Sequence, residues 1–313
     1  MLSFFLKIKN FLFIAFFAIA LVALLLPGGI LPDSTRSVYY LWESGHLFLF
    51  YLGWHLFSTC CPRFLNLSFS RQLSILLGVT FLCIVILEGL QSSLSGKSFS
   101  VTDILGDIAG SLIFLSFHHR RKGNSYFLLH GAALLLAGFV LWPVFCSFTD
   151  EMLARYQFPL LADFETPFEK SRFEGKTGSG TRSSEEAFHG RHSLRLSLLP
   201  GPWSGMTLRY FPADWQGYTQ LHFAVYNPDR QPVSLEVSIH DTLHEQGNKP
   251  YNDLYSRIIS LPAGWTKVQI PLAEVQKGPQ FRQMDLAHIS GLGFFVEKEK
   301  KPLTLYLDAL RLE

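Results

Sequence analysis

The chain has 313 residues, enough for about two folded units at the usual ~100–200 residues per domain, which excludes a single small module. Lys and Arg number 27 against 25 Asp and Glu, so there is no basic excess of the kind that binds nucleic acid. Charged residues make up only 17% and apolar ones 48%, against the ~25% charge of an ordinary soluble domain, so part of the chain is built for lipid.

The imbalance is regional. Residues 1–150 hold nine Lys/Arg and six Asp/Glu, leaving 18 of the 27 cations and 19 of the 25 acids to residues 151–313. All four cysteines (Cys60, Cys61, Cys83, Cys146) lie in the first half, so the second half can form no internal disulfide.

Residues 11–26 (FLFIAFFAIALVALLL) form an uncharged run after Lys7 and Lys9 and end in Pro27-Gly28-Gly29. No small-x-small cleavage site follows, so this run predicts an uncleaved first helix rather than a signal peptide. Apolar runs over about 45–61, 72–90, 104–117 and 126–148 predict four more helices, giving a five-helix transmembrane bundle over 1–148. With the N-terminus cytoplasmic, the inner segments carry Lys7, Lys9, Arg63, Arg71, Arg120, Arg121 and Lys122, and the outer ones only Arg36 and Lys97. The positive-inside rule therefore predicts an N-in, C-out topology, with His118 and His119 part of an inner-face basic anchor. Residues 149–159 read as a juxtamembrane linker.

Polar residues interrupt the third and fourth apolar runs. Glu88 and Gln91 are three apart and Asp103 and Asp107 four apart, so each pair shares one helix face. A carboxylate near the bilayer interior is costly and marks a functional hypothesis, the alternative being interfacial caps and helix-packing glue. The short 92–102 connection makes these two helices antiparallel neighbours, with Lys97 able to pair with the acids, and Gly106 and Gly110 permit close helix approach.

The string Glu88-x-x-Gln91, Gly96-Lys97, Asp103, Asp107 and Gly110, with His46 upstream, resembles the signature of VanZ-like membrane proteins. Lys97, Asp107 and Trp42-Glu43 stand where that signature has Arg, Asn and Asp-Lys. The resemblance implies a bacterial cell-envelope role connected with antibiotic susceptibility, and a polar cluster of His46, Glu88, Gln91, Lys97, Asp103 and Asp107.

Beyond residue 160 the pattern changes to short alternating segments over 194–198, 207–211, 221–226, 233–240, 255–261, 266–272, 291–296 and 303–312, separated by turns such as NPDRQP and LPAGW. Period-2 alternation without helical stretches predicts an all-β sandwich or jelly roll over 160–313. The segments LADFE (161–165), YNDLY (251–255), LPAGW (261–265) and LYLDALRL (305–312) resemble galactose-binding-like sandwiches, in particular carbohydrate-binding modules. That resemblance implies glycan binding and a structural Ca²⁺ held by Glu165 and Asp308.

Sugar recognition needs flat aromatic faces and planar polar groups. Trp203, Trp215, Tyr218, Tyr226, His240 and Asp241 qualify by type, but Tyr251, Asn252, Asp253, Tyr255 and Arg257 form the densest group and read as the glycan contact surface. The GKTGSG stretch (175–180) lacks the strand-to-helix context of a phosphate loop. His240 and His244 have metal-like spacing only on a helix. No carboxylate pair, Ser-His-Asp or Cys-His arrangement points to catalysis.

The sequence thus reads as a multi-domain protein of the bacterial cytoplasmic membrane that presents a glycan-binding-like sandwich outside it. Its partners are membrane lipid and peptidoglycan, a lipid-linked precursor or another surface glycan. The alternative is an enzyme or transporter acting on lipid-linked envelope intermediates through the intramembrane acidic cluster.

Overall fold

A computed structural model describes residues 35–95, 100–118, 124–175, 177–248 and 250–313, together with Ala18 and Val22. The chain divides into two compact units, Met1–Ser147 and Phe148–Glu313. The helix expected over 11–26 and the expected positions of Lys97, His119, Arg120, Arg121 and Lys122 lie outside the described residues.

Helices α1 (Arg36–Glu43), α2 (Gly45–Cys60), α3 (Phe69–Ser95), α4 (Val101–His118) and α5 (Asn124–Gln157) build the first unit, the residues of α5 from Phe148 onward belonging to the second. Helix α1 was not legible as an apolar run, because Arg36 and Ser37 are its buried positions and Tyr39 and Leu41 are exposed. At 16 residues, α2 is ~24 Å long, short of a ~30 Å hydrocarbon core. The five-helix transmembrane bundle is corrected accordingly: among the described residues, three segments are long and apolar enough to cross a membrane, Phe69–Leu94, Val101–His118 and Phe127–Gln157. Most of the segment read as a juxtamembrane linker is helical. α5 continues through Pro143 to Gln157, since residues 149–157 carry neither Gly nor Pro to stop it.

Contacts fix the helix directions. His46 meets Gly106, Leu47 meets Gly110 and Trp54 meets Ser111, so α2 and α4 run parallel. Thr80 meets Ser111 while Gln91 meets His46 at the other end of α3, so α3 is antiparallel to both. Gly110 is what lets α2 and α4 close: a Cβ there would lie 2.1 Å from the Leu47 carbonyl oxygen. Trp54, Phe64, Leu76, Phe114 and Leu115 fill the centre of this unit.

The second unit is a sandwich of two antiparallel sheets packed face to face. One sheet has the order β3 (Gly178–Ser183), β4 (Ser193–Leu198), β11 (Leu303–Leu312), β6 (Gln220–Asn227), β9 (Gly264–Pro271), with β1 (Leu160–Ala162) also on β11. The other has the order β2 (Phe173–Glu174), β5 (Gly201–Leu208), β10 (Ile289–Glu299), β7 (Val233–Asp241), β8 (Tyr255–Leu261). Two short helices, α6 (Thr242–Gln246) and α7 (Leu272–Gln276), follow β7 and β9. Leu194, Leu196, Val225, Val237, Ile239, Phe294, Leu305 and Leu307 interdigitate between the sheets. Trp215 is wholly buried, so its place is the core and not a ligand surface.

Candidate functional site

In the helical unit the structure brings together four of the six polar residues expected to cluster. His46 Nδ1 lies 2.9 Å from Asp107 Oδ1 and donates to it. Its Nε2 is 3.4 Å from the Gln91 amide nitrogen and 3.6 Å from Asp103 Oδ2. All four side chains are buried. Glu88 is half-buried and lines a crevice of about 360 Å³ with Leu77, Thr80, Ile84, Ile104 and Ile108. The network continues inward, which the sequence reading missed. Trp54 Nε1 lies 3.1 Å from both the Thr80 and Ser111 hydroxyls, and Ser111 donates to the Asp107 carbonyl one turn away. Ser111 stands four residues after Asp107, the spacing that places it on the same helix face.

The 251–257 group does not form one surface. Tyr255 is a core residue with 6% exposure, and Arg257, pointing away from its neighbour Ser256 along the strand, pairs with Glu274 at 3.7 Å. Asn252 holds Gln280 through its side-chain amide at 3.1 Å. Asp253 accepts from Arg282 at 2.7 and 2.9 Å, and the same guanidinium grips Asp241 at 2.5 and 2.8 Å. Arg282 holds Asp253 below the ordinary carboxylate range. Burial works to raise Asp241, but Arg282 and the Asp285 and His244 amides bring it lower. This clamp ties the 250–254 and 280–285 loops to the end of β7. The sequence group was misread because proximity along a strand that starts at Tyr255 sends alternate side chains to opposite faces. Tyr251, Asn252 and Arg257 are exposed, but they are held by different partners.

Glu165 and Asp308 do not fit the calcium site expected for them. Glu165 Oε1 accepts the Arg191 and His192 amides at 2.7 and 2.8 Å. Asp308 accepts the Phe188, His189 and Ala309 amides between 2.7 and 3.0 Å. The nearby carbonyls of Phe164 and Glu165 accept from Arg182 at 2.6 and 2.9 Å. Ca²⁺ needs 6–8 oxygens, whereas these are committed to N–H donors, one of them already a cation. No group of three or more His, Cys, Asp or Glu among the described residues is arranged to hold a metal. His240 and His244 accordingly serve otherwise: His240 Nε2 sits 3.2 Å from Arg209 and from Glu245, with burial and then Arg209 pushing its pKa down to about 4.

An open aromatic surface lies on the outer face of the β2-β5-β10-β7-β8 sheet. Register places Trp203 opposite Glu297, Gly205 opposite Phe295, and Phe295 opposite Glu236. The Phe295 ring lies low across the sheet because its neighbours have no side chains. A Cβ on Gly205 or on Gly293 would each come within 2.4 Å of that ring. Trp203 and Tyr251 stand beside it, their centroids 6.4 Å (Trp203–Phe295) and 6.5 Å (Trp203–Tyr251) apart, and remain 41% and 61% exposed. In their midst Glu236 accepts the Tyr251 hydroxyl at 2.6 Å and the Ser256 hydroxyl. The rival aromatic row on the other sheet, Tyr226, Trp265 and Tyr306, is packed ring on ring and capped by Phe188, with Lys267 over it. Phe295 and Glu236 escaped the sequence reading; the signal was the Gly-x-Gly-x-Phe alternation over 291–295.

No family model matches the chain, and no curated protein does. Several solved structures are similar to it over the sandwich. A family 11 carbohydrate-binding module from Clostridium thermocellum, in complex with a β-1,3-1,4-mixed-linked tetrasaccharide, is 14% identical with a TM-score of 0.39, covering 49% of this chain and 93% of that one. The CBM22-1 xylan-binding domain of a Paenibacillus barcinonensis protein is 17% identical with a TM-score of 0.35, covering 49% and 93%. An exo-β-agarase is 17% identical with a TM-score of 0.39, covering 49% of this chain and 24% of the enzyme.

Proposed function

We propose that this chain is a membrane protein whose sandwich binds a glycan through the outer face of the β5-β10-β7 strands. The observation that carries the reading is the Trp203, Phe295 and Tyr251 platform around Glu236, which offers flat apolar faces and a carboxylate to a ring with apolar and hydroxylated sides. A sugar held by one or two rings and a few hydrogen bonds binds with a Kd of roughly 10–1000 μM. The setting we propose is the bacterial cytoplasmic membrane, with a VanZ-like helical unit, N-terminus cytoplasmic and sandwich outside, facing peptidoglycan, a lipid-linked precursor or another surface glycan. The full chain in lipid nanodiscs should bind a subset of a glycan and peptidoglycan array. Trp203→Ala should weaken that binding about tenfold or more, while Phe188→Ala, in the β3–β4 loop beside the other sheet, leaves it unchanged. A parent protein that binds no glycan, or an unaffected Trp203→Ala, sinks the reading.

A second reading rests on the buried His46–Asp107 pair with Asp103 and Gln91 beside it: the helical unit acts on lipid-linked envelope intermediates, whose chains the Glu88 crevice would take. Asp103→Asn should then abolish an envelope phenotype such as altered glycopeptide susceptibility at unchanged protein abundance. Equal loss of both would assign the cluster to helix packing.

A further inference from the structure

Glu236 occupies the centre of the aromatic platform, yet it is only 3% exposed. Its two oxygens are treated differently. Oε1 accepts the Tyr251 and Ser256 hydroxyls, whereas Oε2 is buried with no hydrogen-bond partner among the described residues. A carboxylate oxygen withdrawn from water is costly to leave without a donor. It is also an acceptor only, so whatever completes it must supply an O–H or N–H.

The rest of the face carries the same sign. Glu297 stands directly opposite Trp203 and Glu174 opposite Thr207. The cations there are already engaged: Lys298 lies 3.8 Å from Glu297, and Arg209 holds Glu174 at 3.6 Å and Glu245 at 3.0 Å. A neutral sugar brings hydroxyl donors to Oε2 and no charge. A uronate or sulfated sugar brings an acceptor and a like charge to a desolvated carboxylate, which is a mismatch.

Resting on the glycan-binding reading above, we infer that Glu236 is the specificity-determining residue of this face: its buried oxygen takes a hydroxyl hydrogen of a neutral sugar stacked on Trp203 and Phe295, and it turns acidic glycans away. The inference narrows the ligand to a neutral, hydroxyl-rich glycan.

The test uses the full chain in nanodiscs and matched probes, galacto-oligosaccharides against oligogalacturonates and gluco-oligosaccharides against their glucuronate counterparts. The neutral member of a bound pair should bind about tenfold more tightly or better, as expected when a site's buried polar group is met rather than opposed. Glu236→Gln, of nearly the same shape, should bring that ratio below about threefold. Near-equal binding of the two members by the parent overturns the inference without any variant, and so does an unchanged ratio in a folded Glu236→Gln. If Trp203→Ala still abolishes binding in that case, the platform stands and only the role of Glu236 falls. Binding to no probe overturns the glycan reading itself.

Discussion

Arg172 and Asp150 form a fully buried ion pair inside the second unit. Arg172 Nε donates to both carboxylate oxygens at 2.9 and 3.1 Å, Nη2 lies 2.8 Å from Oδ1, and Nη1 reaches the Leu161 carbonyl at 2.6 Å. It fastens the last turns of α5 to the strand that opens the sandwich. Removing one partner strands the other charge away from water, at a cost of about 3–5 kcal/mol. Asp150→Ala should therefore lower the Tm of the sandwich by roughly 6–15 °C, measured on the purified chain by near-ultraviolet circular dichroism. Arg311→Ala, which breaks a half-exposed pair with Glu313, should shift it hardly at all.

Arg182 makes a prediction about cations. Its guanidinium already occupies the carbonyls of Phe164 and Glu165, so neither EDTA nor added Ca²⁺ should move the melting temperature of the sandwich. Arg182→Ala should lower it, because the carbonyls left without donors cost about 1–3 kcal/mol of stability. A Ca²⁺-dependent rise in the parent protein would show that these oxygens rearrange around the ion.

The glycines of the helical unit separate packing from chemistry. Gly110→Ala drives a methyl group into the Leu47 backbone, whereas Gly78 has nothing within 4 Å of its Cβ position. Gly110→Ala should reduce the yield of folded protein in detergent and separate His46 from Asp107. Gly78→Ala should be neutral or slightly stabilising through helix propensity. Equal behaviour of the two variants would mean that α2 and α4 are not in close contact.

His240 gives an acid limit to stability. Its folded pKa is held down to about 4, mainly by burial and next by Arg209, from an ordinary 6.5. The unfolded chain thus takes up the proton first, and stability is lost as pH falls from about 6.5 to 4, by an amount on the order of 2–3 kcal/mol. His240→Gln should flatten that part of the curve in urea titrations at pH 7, 5.5 and 4.5. Asp241 and Asp253, whose pKa values lie below 3.8, contribute their losses below that window, so the two effects separate.

The strands over 255–261 and 303–312 were legible to the residue because turn residues bound them, Asn252-Asp253 and Pro262 around the first and Pro302 before the second. β1, β2 and β3 were not: they are two to six residues long, and β3 is written mostly in Gly and Ser, which also spell a turn. In the helical unit, spacing sufficed to pair Gln91, Asp103 and Asp107, because a helix fixes which residues share a face. It could not reveal Trp54, Thr80 and Ser111, whose partnership depends on three different helices meeting. The proposed glycan surface was missed for a similar reason. Trp203, Glu236 and Phe295 come from three strands adjacent only through register, while the group that is dense in sequence, 251–257, is split by the pleat between core, loop clamp and surface.

Phe295 can lie across its sheet only while both Gly205 and Gly293 lack a side chain. These positions are 88 residues apart in sequence and on different strands, yet both are tied to the same ring. An alanine at either glycine meets the ring, and at Gly205 its methyl would also lie 2.1 Å from the Phe294 carbonyl oxygen, so a small residue at 295 relieves only part of the constraint. Among relatives that diverge in sequence, an aromatic at 295 should therefore come with glycine at both 205 and 293, while glycine at 205 should persist even where the aromatic is lost. An isolated aromatic at 295 would mark a lineage in which this surface has been given up.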